Sequence, residues 1–190
     1  SKDNVALILG DNFFHGQNLT YKLTESVKLS KGAKVFLHPV KNPSAYGVAT
    51  IKNNNKILKI IEKPKNPKSN LAVTGLYFFD NKVINFSKKL KPSKRKEIEI
   101  TDLLNKYLKK RQLKAEFIGR GGSWLDAGSI GDFYKASNYV NAVENRQGLK
   151  IACIEEIAFN KKWISKKEII NSIKFYGKCD YSKYLKDLIK

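Results

Sequence analysis

Val5-Ala6-Leu7-Ile8-Leu9, closed by Gly10-Asp11-Asn12, decides how the chain is read. Five consecutive apolar residues without polar alternation predict a central strand buried on both faces. Leu19 to Ser30 then predicts a helix, with Leu19, Leu23 and Val27 on one stripe and Gly32 just past its end. Ala33 to Val40 predicts the next strand. Strand, helix and strand in that order make a βαβ unit, so the expected class is α/β with a parallel sheet. A central strand needs neighbours to cover it. The chain is therefore expected to begin in mid-domain, and the absence of methionine throughout, position 1 included, adds to that expectation.

The period changes after Val40. Gly47 to Ile51, a turn at Asn53-Asn54-Asn55, and Lys56 to Ile61 predict a β-hairpin. Pro64 and Pro67 mark a loop, and Leu71 to Phe79 predicts a further strand. Asn81 to Leu90 and Thr101 to Lys110 predict helices, the second with Thr101 as N-cap and Leu103, Leu104, Tyr107 and Leu108 facing inward. Lys114 to Ile118 predicts a short strand leading into Gly119-Arg120-Gly121-Gly122-Ser123. Ile130 to about Arg146 predicts a longer helix, capped by Ser129 and stopped by Gly148. Short helices are expected from Leu149 to Lys190, carrying Ile154, Ile157, Phe159, Trp163, Ile164, Ile169, Ile170 and Tyr184. The expected organisation is a main domain over 1–148 and a helical extension over 149–190.

Composition narrows the function classes. The 190 residues are 42% hydrophobic, which is globular rather than disordered. No apolar run approaches the ~20 residues of a membrane helix, and no signal-peptide pattern opens the chain, so a soluble, cytoplasmic protein without membrane partners is expected. The 37 Lys+Arg against 17 Asp+Glu leave a net charge of +20. Only Arg95, Arg111, Arg120 and Arg146 are arginines, and the lysines are spread along the chain. Base readout favours clustered arginines and exposed aromatics, so a lysine-covered surface attractive to anions is expected rather than nucleic-acid binding. With two cysteines, Cys153 and Cys179, and two histidines, His15 and His38, reduced thiols are expected and any metal falls to carboxylates. That favours a hard ion such as Mg²⁺.

Two acids are candidates. Asp11 follows an all-apolar strand, at the carboxyl edge where open α/β sheets bind ligands; it either ligates a metal or caps a turn. Asp126 lies in Trp124-Leu125-Asp126-Ala127-Gly128, just before a capped helix. Brought together, the two would make a dicarboxylate Mg²⁺ site suited to a nucleoside triphosphate. Glu62-Lys63-Pro64 ends the hairpin, where the glutamate is either a sugar-hydroxyl acceptor with its lysine on a phosphate, or half of an exposed ion pair. Gly47, after Tyr46, permits close approach of a ligand to the backbone. Arg95 offers a planar fork for phosphate within a lysine-rich stretch.

In order and spacing, these strings resemble the glucose-1-phosphate thymidylyltransferases, which are sugar nucleotidyltransferases. The resemblance rests on Leu9-Gly10-Asp11-Asn12, Tyr46-Gly47-Val48, Glu62-Lys63-Pro64 and the run from Asn70 to Asp80. It continues through Glu97 to Asp102, Trp124-Leu125-Asp126, Arg146 to Lys150 and Glu155 to Phe159. It implies a partial Rossmann-like nucleotidyltransferase sheet with a β-hairpin insertion and C-terminal helices. Asp11 and Asp126 are implied as catalytic metal ligands and Arg95 as a catalytic phosphate contact. Asn12, Tyr46, Gly47, Glu62, Lys63 and Val73 are implied as sugar-phosphate contacts. The implied reaction is attack of a glucose 1-phosphate oxygen on the α-phosphorus of dTTP, with Mg²⁺, yielding dTDP-glucose and pyrophosphate. A homo-oligomer is implied for the full-length parent.

Three departures from the family pattern accompany the resemblance. The glycine-rich GGxGTRLxPLT phosphate loop does not occur in the 190 residues, Ala127 replaces a common threonine, and Lys96 replaces a common glycine. The chain is accordingly expected to be a fragment that does not turn over dTTP by itself and that presents an apolar sheet edge. The rival readings are a non-catalytic sugar-phosphate-binding fragment and a basic nucleic-acid-binding module.

Overall fold

A computed structural model of the protein describes residues 3–52 and 55–190. Its contacts divide the chain into two units, Ser1–Ala136 and Ser137–Lys190. The division falls inside a helix, whereas the sequence-based one follows Gly148. The first unit holds strands β1 (Val5–Ile8) and β2 (Asn12–His15), helix α1 (Leu19–Val27), and strands β3 (Ala33–Pro39), β4 (Val48–Lys52), β5 (Lys56–Ile61) and β6 (Leu71–Phe79). It continues with helices α2 (Val83–Ser87) and α3 (Ile100–Lys109), strands β7 (Leu113–Phe117) and β8 (Ser123–Asp126), and the start of α4 (Ile130–Gln147).

The nine residues of β6 organise this unit because they are apolar on both faces. Val73, Tyr77 and Phe79 pack with Leu103, Leu104 and Tyr107 of α3 on one side. Ala72, Leu76 and Phe78 pack with Leu29 and Trp124 on the other, under Leu19 and Leu23 of α1. Period-two alternation in a strand thus serves two helical layers, and each large side chain buried this way contributes about 1.5–3 kcal/mol. The sheet runs β5-β4-β6-β3-β7, with β1 also on β6. At a bulge in β3, Phe36 turns its carbonyl off the ladder and accepts the buried Thr74 hydroxyl at 2.9 Å.

Several expectations are corrected here. The sheet is mixed, not parallel: β6 pairs antiparallel with β1, β3 and β4, and among the described strands only β3 and β7 are parallel. The long doubly apolar β6 takes the place between β1 and β3 that the βαβ reading left empty. Nor is β1 a strand buried on both faces, since Leu7, Ile8 and Leu9 are 37%, 58% and 41% exposed. Among the described strands β1 pairs only with β6. On α1, Val27 faces out and Ser26 is buried, its hydroxyl bonded to the Lys22 carbonyl at 2.6 Å. The expected helix over Asn81 to Leu90 shortens to α2. Glu99, not Thr101, precedes α3. The β4–β5 hairpin forms as expected, although Asn53 and Asn54 of its turn lie outside the described residues.

In the second unit, α5 (Ile154–Asn160), α6 (Lys166–Tyr176) and α7 (Asp180–Leu188) close on Cys153, Ile169 and Leu185. Ile154, Ile157, Trp163 and Ile170, expected among the apolar positions of these helices, are exposed. Glu155 is buried but accepts the phenol hydroxyls of Tyr176 and Tyr181. These bonds hold its carboxyl below the usual range against the opposing effect of burial. Both cysteines are free thiols, as expected from their number. No helix of the described residues is long and apolar enough to cross a membrane.

Asp80 pins the end of β6. Its carboxylate accepts the Tyr107 hydroxyl at 2.8 Å, the Gly32 N–H at 2.8 Å and the Lys82 N–H at 3.1 Å. Tyr107→Phe leaves this buried acid one donor short. The variant is expected to lower the unfolding free energy by about 1.5–3 kcal/mol in urea denaturation.

Candidate active site

Two short strands that pattern analysis did not foresee build the site. β2 and β8 pair antiparallel as a two-stranded ribbon, with Asn12 opposite Asp126 and Phe14 opposite Trp124. The ladder continues past its end, where Ala127 N–H donates to the Asp11 carbonyl at 2.7 Å. The two aspartates, far apart in sequence, therefore sit side by side. Asp11 Oδ2 lies 3.2 Å, and Asp126 Oδ1 3.0 Å, from the point a side chain on Gly128 would occupy. Both oxygens thus lie within 3.2 Å of one point, and Asp126 Oδ1 also accepts the Gly128 N–H at 2.9 Å.

Asn12 ties this ribbon to the sheet. Its Nδ2 donates to Asp11 Oδ1 at 2.7 Å, and its Oδ1 accepts Trp124 Nε1–H at 2.6 Å and Gly75 N–H at 3.2 Å. The amide rests directly against Gly75, where a Cβ would approach its Oδ1 to 2.7 Å. Only glycine fits there. Trp124, so fixed, meets Tyr46 edge-on at a centroid distance of 4.9 Å and His38 at 6.4 Å. Burial pushes the His38 imidazole toward its neutral form.

A cavity of about 210 Å³ opens beside the ribbon. This is below the ~300–1,000 Å³ of drug-sized ligand sites and suits a group the size of one sugar ring. All six residues expected to touch sugar phosphate line it: Asn12, Tyr46, Gly47, Glu62, Lys63 and Val73, with Asp126 at its wall. Main-chain bonds hold this lining, from Lys63 N–H to the Tyr46 carbonyl at 3.0 Å and from Val73 N–H to the Gly47 carbonyl at 2.7 Å. A side chain on Gly47 would crowd Thr101 Cγ2 at 2.9 Å and Glu62 Oε2 at 3.2 Å. A larger cavity of about 430 Å³ beside β1 is walled mainly by apolar groups such as Leu7, Phe79, Ile84 and Ile98, with no comparable convergence of polar ones.

The electrostatics centre on Glu62. Burial and the nearby Glu99 push its carboxyl up, while a hydrogen bond from Thr101 and the charges of Lys63 and Arg95 pull it down. The net shift is upward. Tyr46 is also raised, by burial and then by Asp126 and Asp132, so its phenol stays protonated at neutral pH. Burial, with a smaller effect of Glu62, raises Tyr77 as well. Arg95 stands outside the lining, with Nη1 3.7 Å from Glu62 Oε1 and Nη2 2.8 Å from Glu97 Oε2. Lys96, beside it, holds a left-handed backbone at φ 62°.

Sequence reasoning missed Thr101 and Trp124 as parts of the site. Thr101 reads as a helix cap, yet lies inside α3, 2% exposed, with its hydroxyl on Glu62. Trp124 reads as packing, and its indole N–H nevertheless finds Asn12. Among the described residues no three His, Cys, Asp or Glu side chains cluster as a metal site.

The chain resembles known proteins throughout. It is 44% identical over 188 residues to a glucose-1-phosphate thymidylyltransferase of Neisseria meningitidis, covering 99% of this chain and 65% of that protein. It is 46% identical over 186 residues to one from Neisseria gonorrhoeae, covering 98% and 65%. The chain thus spans about 65% of the length of these relatives. Among solved structures it superposes, with a TM-score of 0.63 and 44% identity, on a Bacillus anthracis protein assigned as a glucose-1-phosphate thymidylyltransferase and bound to sucrose, covering 73% of this chain and 55% of that one. A UDP-glucose pyrophosphorylase complexed with UDP-glucose gives 0.64 and 27% identity over 73% and 56%. The family model for nucleotidyl transferases matches residues 1–143, the stretch that contains the aspartate pair and its cavity, and the chain belongs to that family.

Proposed function

We propose that this chain supplies the sugar-phosphate and metal side of a glucose-1-phosphate thymidylyltransferase. The observation that carries the reading is the convergence of Asp11 and Asp126 beside a sugar-sized cavity walled by Glu62, Lys63 and Tyr46. In the reaction a phosphate oxygen of glucose 1-phosphate bonds to the α-phosphorus of dTTP as the bond to the pyrophosphate oxygen breaks. No side chain need become a nucleophile, so positioning and charge neutralisation are what the protein contributes. Ionised Glu62 accepts sugar hydroxyls, held by Thr101. Lys63 and Arg95 place positive charge for the phosphate, and the Tyr46–Trp124 pair shapes the wall behind the ring.

Asp11 and Asp126 are hard oxygen donors on either side of a space left open by Gly128, which fits a divalent cation such as Mg²⁺ held by two carboxylates and completed by water and phosphate. When bound, the ion would neutralise charge on the phosphates. The triphosphate cradle is assigned to a glycine-rich loop that does not occur within these 190 residues. The basic surface supports a general attraction for anions, and the small size of the cavity favours a single sugar phosphate over a nucleic-acid strand.

Calorimetry tests the reading directly. Glucose 1-phosphate is expected to bind the chain and to bind Glu62→Gln about tenfold more weakly, the loss of one good acceptor. Because folding raises the Glu62 carboxyl, its acceptor form is lost as pH falls through that raised value. Wild-type binding should therefore weaken on acidification from a higher pH than an ordinary glutamate at ~4.3 would dictate. Glu62→Gln should keep only the ligand's own phosphate titration near pH ~6. Absence of wild-type binding at millimolar ligand would overturn the proposal.

Metal binding and turnover supply two further checks. Asp126→Asn is expected to weaken Mn²⁺ binding, followed by electron paramagnetic resonance, by about tenfold or more. The chain alone, given glucose 1-phosphate, dTTP and Mg²⁺, is expected to release no pyrophosphate above background.

A further inference from the structure

Glu99 is a buried acid whose part in the site, as described so far, is only to push the Glu62 carboxyl up. It is 8% exposed and precedes α3 directly. A buried carboxylate is unfavourable unless charge and hydrogen bonds answer it, and here they come from one short turn. Glu99 Oε1 accepts the Ser93 hydroxyl at 2.8 Å and lies 3.5 Å from Arg95 Nη1. The same Ser93 oxygen accepts the Arg95 backbone N–H at 3.1 Å. The turn closes on itself through Ser93 N–H to the Glu97 carbonyl at 2.8 Å and Lys96 N–H to the Ser93 carbonyl at 2.9 Å. Glu99 and Ser93 thus hold both ends of Arg95, its backbone and its guanidinium. The nitrogen that meets Glu99 is also the one 3.7 Å from Glu62.

Resting on the sugar-phosphate reading above, we propose that Glu99 is a positioning residue for that site. Its buried carboxylate fixes the Arg95 guanidinium beside Glu62, where one cation serves the sugar-binding acid and an incoming phosphate together. Glu97 has a different place. It is an exposed partner of Nη2, pairing with the outer side of the fork, and a solvent-screened pair of this kind orients little. The groups that face Glu62 are Glu99, Arg95 and Lys63, with the Thr101 hydroxyl and the Tyr77 phenol behind. Removing the charge of Glu99 takes away a neighbour that disfavours ionised Glu62, and it frees Arg95 from the position that spans Glu62 and the phosphate.

The test combines a ligand-free readout with a binding one, on the whole chain. Carboxyl NMR of the free protein follows Glu62 through its titration in wild type, Glu99→Gln and Glu99→Asp. Glu99→Gln removes a like charge, which lowers the Glu62 midpoint, and releases Arg95, which raises it. The midpoint reports the balance of the two, while the affinity ratio decides the positioning role. Glu99→Asp is expected to leave the midpoint near the wild-type value. Calorimetry should show Glu99→Gln binding glucose 1-phosphate about tenfold more weakly, with glucose, which lacks the phosphate, affected less than about threefold. A residue that only stabilises the fold would leave the ratio of the two affinities unchanged. Should Glu99→Gln fail to fold, Ser93→Ala keeps the charge and releases the turn, and it is expected to reduce glucose 1-phosphate affinity selectively. An unchanged affinity ratio in Glu99→Gln, whatever the midpoint does, or unchanged selectivity in Ser93→Ala, overturns the positioning role and leaves the sugar-phosphate reading intact. Wild-type chain that ignores glucose 1-phosphate overturns both.

Discussion

Asn12 and Asp126 face each other across a two-stranded antiparallel ribbon, and the amide of Asn12 is committed to Asp11, Gly75 and Trp124. This arrangement sets the distance between the two aspartates, locks the ribbon onto the middle of β6 and orients the indole that walls the cavity. Each bond is modest by itself, about 0.5–1.5 kcal/mol net for a neutral pair and more where a carboxylate accepts. Their weight lies in convergence. One small planar side chain joins the acid pair, the sheet and the aromatic wall, so a change at any of the three is felt at the other two. The glycine at position 75 is part of the same device, since any side chain there would meet the amide.

Charge is distributed in two tiers. Lysines cover the surface and produce the net charge of +20, a field that draws anions from solution without choosing among them. The cavity differs locally: Asp126 and Glu62 stand with Lys63 in its lining, and Asp11 and Glu99 lie beside them. Glu62 illustrates the balance. Burial and a neighbouring acid disfavour its charge, while Thr101, Lys63 and Arg95 restore part of what is lost. A carboxylate so poised responds to changes in any of these partners.

Lys96 has a φ of 62°, in the left-handed region that glycine enters freely and lysine rarely does. The Ser93–Glu97 turn nevertheless closes, with two main-chain bonds and the Ser93 hydroxyl to hold it. The Ala127 N–H continues the ladder to the Asp11 carbonyl, a bond that is indifferent to the side chain.

Much of this protein was legible in its residues. The β4–β5 hairpin, β6 and the inward stripe of α3 follow from local pattern, because period and turn chemistry are properties of a few neighbouring residues. The motif strings likewise pointed to the six residues that line the cavity and to the two aspartates. Tertiary structure alone decided the rest. The apolar run Val5 to Leu9 became an exposed strand because burial depends on what packs across it, not on the run itself. The mixed sheet arose because β6, apolar on both faces, competed for the place between β1 and β3. Thr101 turned from cap to carboxylate partner, and Glu99 became the anchor of Arg95, because hydrogen bonds between groups distant along the chain exist only once the backbone has brought them within about 3 Å.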